Sequence, residues 1–334
     1  MTHNSFISNM PKIDLHCHLD GSFSPEFIRK ALKLPDIDDQ LITKLKAPAD
    51  CSSLTQYLTC FDLPISAIQT KENIINGVLD VLSQASSENV KYMEIRFAPT
   101  CSVNENLSLT DIYEAAIAGT KLGLEKYGIY SNIILCAMRH HQPDTNLKVL
   151  ESMADYVGHG ICGLDIAGDE SQFPNQLFQE LFSKAKDMGI PFTIHSGECG
   201  STENVKLACQ YGAKRIGHGI ALIHDINLMQ DIRSAGIGLE LCPTSNFQTR
   251  AWSDMSTYPL RDFLDYGLLG TINTDNRTVS NTNMTTELTL AKSKLNIREE
   301  DLLTIYKNSV EISFADDNIK HKLLTDGNSI LLPT

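Results

Sequence analysis

Positive charge is scarce in this 334-residue chain: 28 Lys and Arg stand against 41 Asp and Glu, a formal net charge of −13. So acidic a protein is a poor fit to a nucleic-acid phosphate backbone or an anionic membrane surface. Long apolar runs are also missing. None exceeds about six residues, as in Ile133 to Met138, whereas a membrane-spanning helix needs about 20. The first ten residues, MTHNSFISNM, have neither a basic start nor an apolar stretch, so no secretory signal is expected. Nine cysteines are present, an odd number with no C-x-x-C spacing. That argues against a disulfide framework or a thiolate zinc finger, and for reduced thiols in the cytoplasm. No repeat, low-complexity tract or linker divides the chain. A single domain over 1–334 is therefore expected.

What the chain does have is an alternation of short apolar runs with longer helical ones. Eight runs read as strands: 12–19, 90–99, 131–139, 160–168, 190–197, 215–220, 237–243 and 268–275. Each is bounded by Gly, Pro, Asn or Asp, as suits a strand buried on both faces. Between them lie helical patterns. The segment 71–90 puts Ile74, Ile75, Val78, Leu82 and Ala85 on one stripe, and 109–128 opens with Thr110 as a cap and stops at Gly128. Segments 175–189 and 201–212 also end in Gly. Eight strand–helix units predict an α/β fold, a (β/α)₈ TIM barrel with its core at about 11–320. An open doubly wound sheet is the alternative, but no Gly-x-Gly-x-x-Gly follows the first strand. The stretch 20–89 is too long for one crossover. It predicts an inserted group of helices, around DDQLITKL and SLTQYLTCF, that walls a pocket.

Polar residues gather where these strands end. His16 and His18 close the first, His195 and Glu198 the fifth, His218 the sixth and Asp275 the eighth. Barrel active sites are built at the C-terminal ends of the strands. In a strand, residues i and i+2 share a face, so His16 and His18 point to one centre and Cys17 to the other side. H-x-H alone equally suits two ordinary histidines beside a loop. With His195 and Asp275 it makes three imidazoles and a carboxylate, a set that suits one divalent ion, zinc first, with a position open for water. Such an ion brings a water near neutral pKa. Glu198, in the loop after His195, could hand over a proton, though by itself it reads as a solvated loop acid; His218, between two glycines, could hold the attacking water or be a structural residue whose ring needs a partner. Asp275 can bind through one oxygen and accept the water's proton with the other.

LHCHLDGS, DIAGDE, IHSGE with IGHG, and NTDN occur in the order of the adenosine deaminase family, which this chain resembles from about 11 to 320. MRHHQP and LCPTSN are similar too. The resemblance implies a (β/α)₈ barrel and zinc-dependent hydrolysis of adenosine and 2′-deoxyadenosine to the inosine product and ammonia. It implies His16, His18, His195 and Asp275 as zinc ligands, Glu198 as the acid at purine N1, and His218 as the group that positions the attacking water. It further implies Gly168 at N3, Asp20 at the ribose 5′-hydroxyl, and Leu54, Tyr57, Leu58 and Phe61 as an apolar wall over the nucleoside; His18 then also borders the substrate. The i, i+3, i+4, i+7 spacing of those four is equally that of any core-facing helix. Many members carry a second Asp where this chain has Asn276, opposite N7. An Asn amide donates in its normal state, whereas an Asp must first be protonated. Adenine, methylthioadenosine, a nucleotide and aminodeoxyfutalosine are the rival 6-aminopurines. A noncatalytic relative is the rival of another class; it would have lost a ligand or Glu198, and neither is lost here.

Overall fold

The computed structural model describes residues 3–331. Eight strands appear: β1 (Lys12–His18), β2 (Val90–Phe97), β3 (Tyr130–Met138), β4 (Ile161–Ala167), β5 (Thr193–Ser196), β6 (Arg215–His218), β7 (Gly238–Leu241) and β8 (Leu269–Ile272). All pairs are parallel, in the order β1-β2-β3-β4 and β5-β6-β7-β8. Two seams join the halves. Leu164 bridges to Phe192, where the Leu164 N–H donates to Pro191 O at 3.0 Å. Cys17 bridges to Asp275, with His18 N–H to Asp275 O at 2.7 Å and Asp275 N–H to His16 O at 2.8 Å. The sheet therefore closes into a barrel, and the open doubly wound alternative falls.

The helices are α1 (His3–Asn9), α2 (Pro25–Ala31), α3 (Asp39–Leu45), α4 (Leu54–Leu58), α5 (Asp62–Ala67), α6 (Lys71–Ser86), α7 (Leu109–Tyr127) and α8 (Pro143–Met153). They continue as α9 (Gln179–Asp187), α10 (Thr202–Tyr211), α11 (Ile226–Ala235), α12 (Pro243–Gln248), α13 (Leu260–Tyr266), α14 (Met284–Lys294), α15 (Glu299–Ile312) and α16 (Asp317–Leu331). The insertion after β1 is real: α2 to α5 precede the crossover helix α6. On α6, Ile74, Val78, Leu82 and Ala85 are fully buried, while Ile75 is half-buried at the edge of the stripe. No described helix is long and apolar enough to cross a membrane.

Local chemistry corrects some boundaries. The cap of α7 is Ser108, not Thr110: Ser108 Oγ accepts the Asp111 N–H, and the Asp111 carboxylate accepts the Ser108 N–H. This reciprocal box satisfies two free donors, which Thr110, already inside the first turn, does not. The segment read as helix over 175–189 begins as a 3₁₀ turn, Asn175–Phe178, because Asn175 is tied to Asn204 and Ser196. Helix α6 ends at Ser86, short of 90. Strands β5 to β8 each span four residues, shorter than their apolar runs.

The barrel interior is charged. Glu94 and Arg96 on β2, Asp165 on β4, Arg215 on β6 and Glu240 on β7 are all fully buried. Arg215 donates to Glu240 Oε1 and Glu94 Oε2, each at 2.5 Å. The end of α15 and the chain just after it close the bottom of this column. Ile312 O accepts from Arg215, the Phe314 N–H donates to Glu94, and the Arg215 guanidinium lies 3.8 Å from the Phe314 ring centre.

Candidate active site

At the C-terminal ends of the strands, His16, His18, His195 and Asp275 bring one ligand atom each within 4.8 Å of the others. Asp275 Oδ1 lies 3.4 Å from His16 Nε2 and 3.3 Å from His18 Nε2, and His18 Nε2 lies 3.2 Å from His195 Nε2. Cys17 turns away into the outer apolar core, as strand parity requires.

The donor set fits a divalent cation. His16 Nε2 is buried with no hydrogen-bond partner, and it faces the cluster. Burial lowers the pKa of His16 and of His18, which favours the neutral, metal-binding imidazole. At His195 burial acts in the same direction, but the Asp165 carboxylate outweighs it and raises the ring's pKa. Burial pushes the Asp275 carboxyl up, yet the His16 ring beside it and the other surrounding imidazoles hold it well below the usual range. A second grouping, His16, His218, Cys242 and Asp275, is equally close. It fits less well, because burial raises the Cys242 thiol far above its ordinary value and its Sγ points to Glu240 O at 3.5 Å.

Behind the imidazoles stands a layer that the motifs did not reveal. His16 Nδ1 meets Glu240 Oε2 at 2.8 Å, and Asp165 Oδ2 lies 2.9 Å from His195 Nδ1. Arg96 joins these two carboxylates, donating at 2.7 Å to Asp165 and 2.8 Å to Glu240. The Glu240 carboxylate on the far ring nitrogen fixes the His16 tautomer and turns its Nε2 lone pair to the centre, and the Asp165 charge beside His195 Nδ1 favours a proton on that side. The signal in the sequence was charge inside strands buried on both faces, as in KYMEIRF and GLDIA. Such charges need partners.

Glu198 is buried beside the cluster. Its Oε2 lies 3.6 Å from His218 Nε2, and Thr249 Oγ1 donates to its Oε1 at 3.3 Å. Burial raises its pKa against the opposing pull of His218, which favours the protonated acid. His218 and Asp275 both hold left-handed backbones, φ 61 and 57, at the strand ends. Such residues cost of order 1–3 kcal/mol and persist where surrounding structure overdetermines them. Gly217 permits the crowding: a Cβ there would lie 3.1 Å from His195 Cα and 3.2 Å from His16 Cε1.

The cluster opens into a cavity of about 480 Å³ lined by His18, Asp20, Gly168, Glu198, His218, Asp275 and Asn276. Leu54, Tyr57, Leu58 and Phe61 form one wall. The wall is pinned at two places: Tyr57 OH to Ser280 Oγ at 2.6 Å, and Thr55 Oγ1 to Asp169 Oδ2 at 3.0 Å. Asp20 caps no helix, since Ser24 caps α2. Its Oδ1 is buried without a partner, and burial raises its pKa to about 6. Asn276 is buried with Oδ1 packed on Gly21, where a Cβ would overlap it. No Lys or Arg lines the cavity among the described residues.

A closed eight-stranded barrel carrying three imidazoles, a carboxylate and a buried acid at its strand ends defines a metal-dependent hydrolase. The profile of a family described as adenosine deaminase matches residues 11–327. An adenosine deaminase of Enterococcus faecalis is 38% identical over 325 residues, 96% of this chain and 96% of that protein. One of Vibrio atlanticus is 40% identical over 321 residues, covering 94% and 97%. The chain belongs to the adenosine deaminase family. Among solved structures, an adenine deaminase from Arthrobacter aurescens superposes with a TM-score of 0.87 at 23% identity, covering 96% of this chain and 98% of that one. An amidohydrolase from Burkholderia ambifaria with bound Zn gives 0.87 at 21% identity, covering 98% and 94%. These two share the fold.

Proposed function

We propose that this protein hydrolyses adenosine, and 2′-deoxyadenosine, to the corresponding inosine and ammonia, with one zinc ion per chain. The observation that carries the reading is the convergence of His16, His18, His195 and Asp275 with Glu198 and His218 on one cavity. His16, His18, His195 and Asp275 would hold the ion, which would supply Lewis acidity and lower the pKa of a water toward neutral. Glu198 donates a proton to purine N1, drawing electrons away from C6. His218 holds the attacking water over C6; Asp275 accepts its proton and passes it to the 6-amino group, and the C6–N bond breaks to release ammonia. Gly168 offers its backbone N–H to N3. The Asn276 amide donates to N7, a role its ordinary protonation state allows. Leu58 and Phe61 cover the base and exclude water.

Asp20 takes the ribose 5′-hydroxyl. A 5′-phosphate would meet that buried carboxylate with no Lys or Arg among the described residues that line the cavity, so the substrate is a nucleoside rather than a nucleotide. The same reading makes the chain a single-domain cytoplasmic enzyme that engages neither nucleic acid nor membrane, supported by one closed barrel and a net charge of −13. Ammonia release with adenine, adenosine, AMP and methylthioadenosine tests the substrate. Adenosine is expected to lead; a stronger response to another of the four would overturn the choice.

Removing the metal with a chelator should abolish turnover, and added zinc should restore it. A metal-free preparation with full activity would remove the ion from the mechanism. Asp20→Ala should raise KM for adenosine while leaving any slow turnover of adenine unchanged. The melting temperature should hold or rise, because a buried carboxylate with one partnerless oxygen is lost. An unchanged KM would take the ribose away from Asp20.

A further inference from the structure

The LCPTSN motif runs from the end of β7 into helix α12, and the mechanism above assigns it no task. Asn246 on it is fully buried and does not line the cavity. It stands behind His218, with its Nδ2 3.0 Å from His218 Nδ1. Tyr258 OH lies 2.8 Å from Asn246 Oδ1. The backbone of Asn246 is held on both sides, its N–H donating to Cys242 O and its O accepting from the Trp252 N–H, each at 3.0 Å.

A primary amide has one accepting end and one donating end. The Tyr258 phenol, itself buried, gives its proton to the carbonyl end. The NH₂ end is then committed to His218, whose Nδ1 must accept. The proton of the ring is left on Nε2, the atom 3.6 Å from Glu198 Oε2. We propose that Asn246 is a positioning residue that fixes His218 in the Nε2–H tautomer, with Tyr258 setting the direction of the amide. His218 then presents a donor to the oxygen it holds. It cannot take the first proton from the attacking water, which leaves that task to Asp275. This assignment of roles rests on the hydrolytic reading above, but the tautomer itself does not.

The test is nitrogen NMR on zinc-loaded protein labelled with ¹⁵N at histidine. The natural protein should show His218 protonated on Nε2 without any substrate present. Asn246→Asp offers only acceptors, so the His218 proton should move to Nδ1. Its kcat should fall by on the order of 10²–10⁴-fold, the scale of a histidine held in the wrong tautomer or a lost proton-transfer partner, with KM nearly unchanged. Tyr258→Phe, a milder change, should release the amide to turn and give a mixture of both tautomers with an intermediate kcat. His218 protonated on Nδ1 in the natural protein would overturn the proposal. So would an Asn246→Asp protein, or a Tyr258→Phe protein, with the natural tautomer and natural kcat. Because the spectrum needs no substrate, failure of adenosine as substrate would leave this result readable.

Discussion

Glu198→Gln should keep its metal and fold but lose on the order of 10²–10⁴-fold in kcat, the usual contribution of a positioned general acid. The amide has nearly the shape of the acid and cannot release a proton. The pH profile separates this role from a structural one. Burial raises the Glu198 pKa, so the carboxyl stays protonated to a higher pH than an exposed glutamate. Activity of the natural enzyme should fall as pH climbs through that raised value, and the residual activity of Glu198→Gln should lack that limb. The sign for stability follows from the same shift. An acid whose pKa is higher folded than unfolded costs nothing below about pH 4.3, its unfolded value, and costs more as pH rises toward the folded one. Gln removes that cost, so the variant should melt no earlier than the natural protein at neutral pH. Near-normal kcat, or an unchanged alkaline limb, would move the acid elsewhere.

Replacing Arg96 should have the largest effect on the fold. Arg96 is fully buried and donates to Asp165, Glu240 and Leu15 O. Arg96→Leu leaves Asp165 with no guanidinium, while Glu240 keeps Arg215. Removing one partner of a buried ion pair costs about 3–5 kcal/mol, because the remaining charge is uncompensated. Asp165 and Glu240 also orient His195 and His16, so zinc affinity should drop about 10- to 100-fold, the usual effect of disturbing such outer contacts. Denaturant midpoints and a zinc competition titration measure the two losses. Arg96→Lys is the second variant: one ammonium lacks the planar fork that spans both carboxylates. It should keep more stability than Leu and still lose zinc affinity. If Arg96→Lys bound zinc like the natural protein, the bridge would have no role in holding the imidazoles.

These two residues differ in how readable they were. Glu198 lies in IHSGE, close behind a strand-end histidine, and local position exposes it. Arg96 sits in KYMEIRF, and nothing local says which carboxylates it meets. The same holds for Asn246, whose motif was visible but whose target was not, and for Tyr258, which lies outside every motif. Asp20 shows the intermediate case. Its place directly after the H-x-H strand puts it near the site, and the Ser24 cap of α2 together with its own partnerless oxygen shows that it is not used to end a helix.

By itself the sequence determined the eight strands, the helical insertion after the first, and the polar residues at the strand ends. Apolar runs bounded by turn residues, and strand parity at His16 and His18, are local properties that survive without knowledge of the partner strand. Only the tertiary structure decided which distant residues meet. His16 and Glu240 touch although 224 residues separate them in the chain. Parity tells whether a side chain faces inward, not what stands across the barrel. The β8–β1 seam settles that: it sets Asp275 between His16 and His18, and it turns the charged interior of β2, β4, β6 and β7 into a single column of paired ions beneath the metal site.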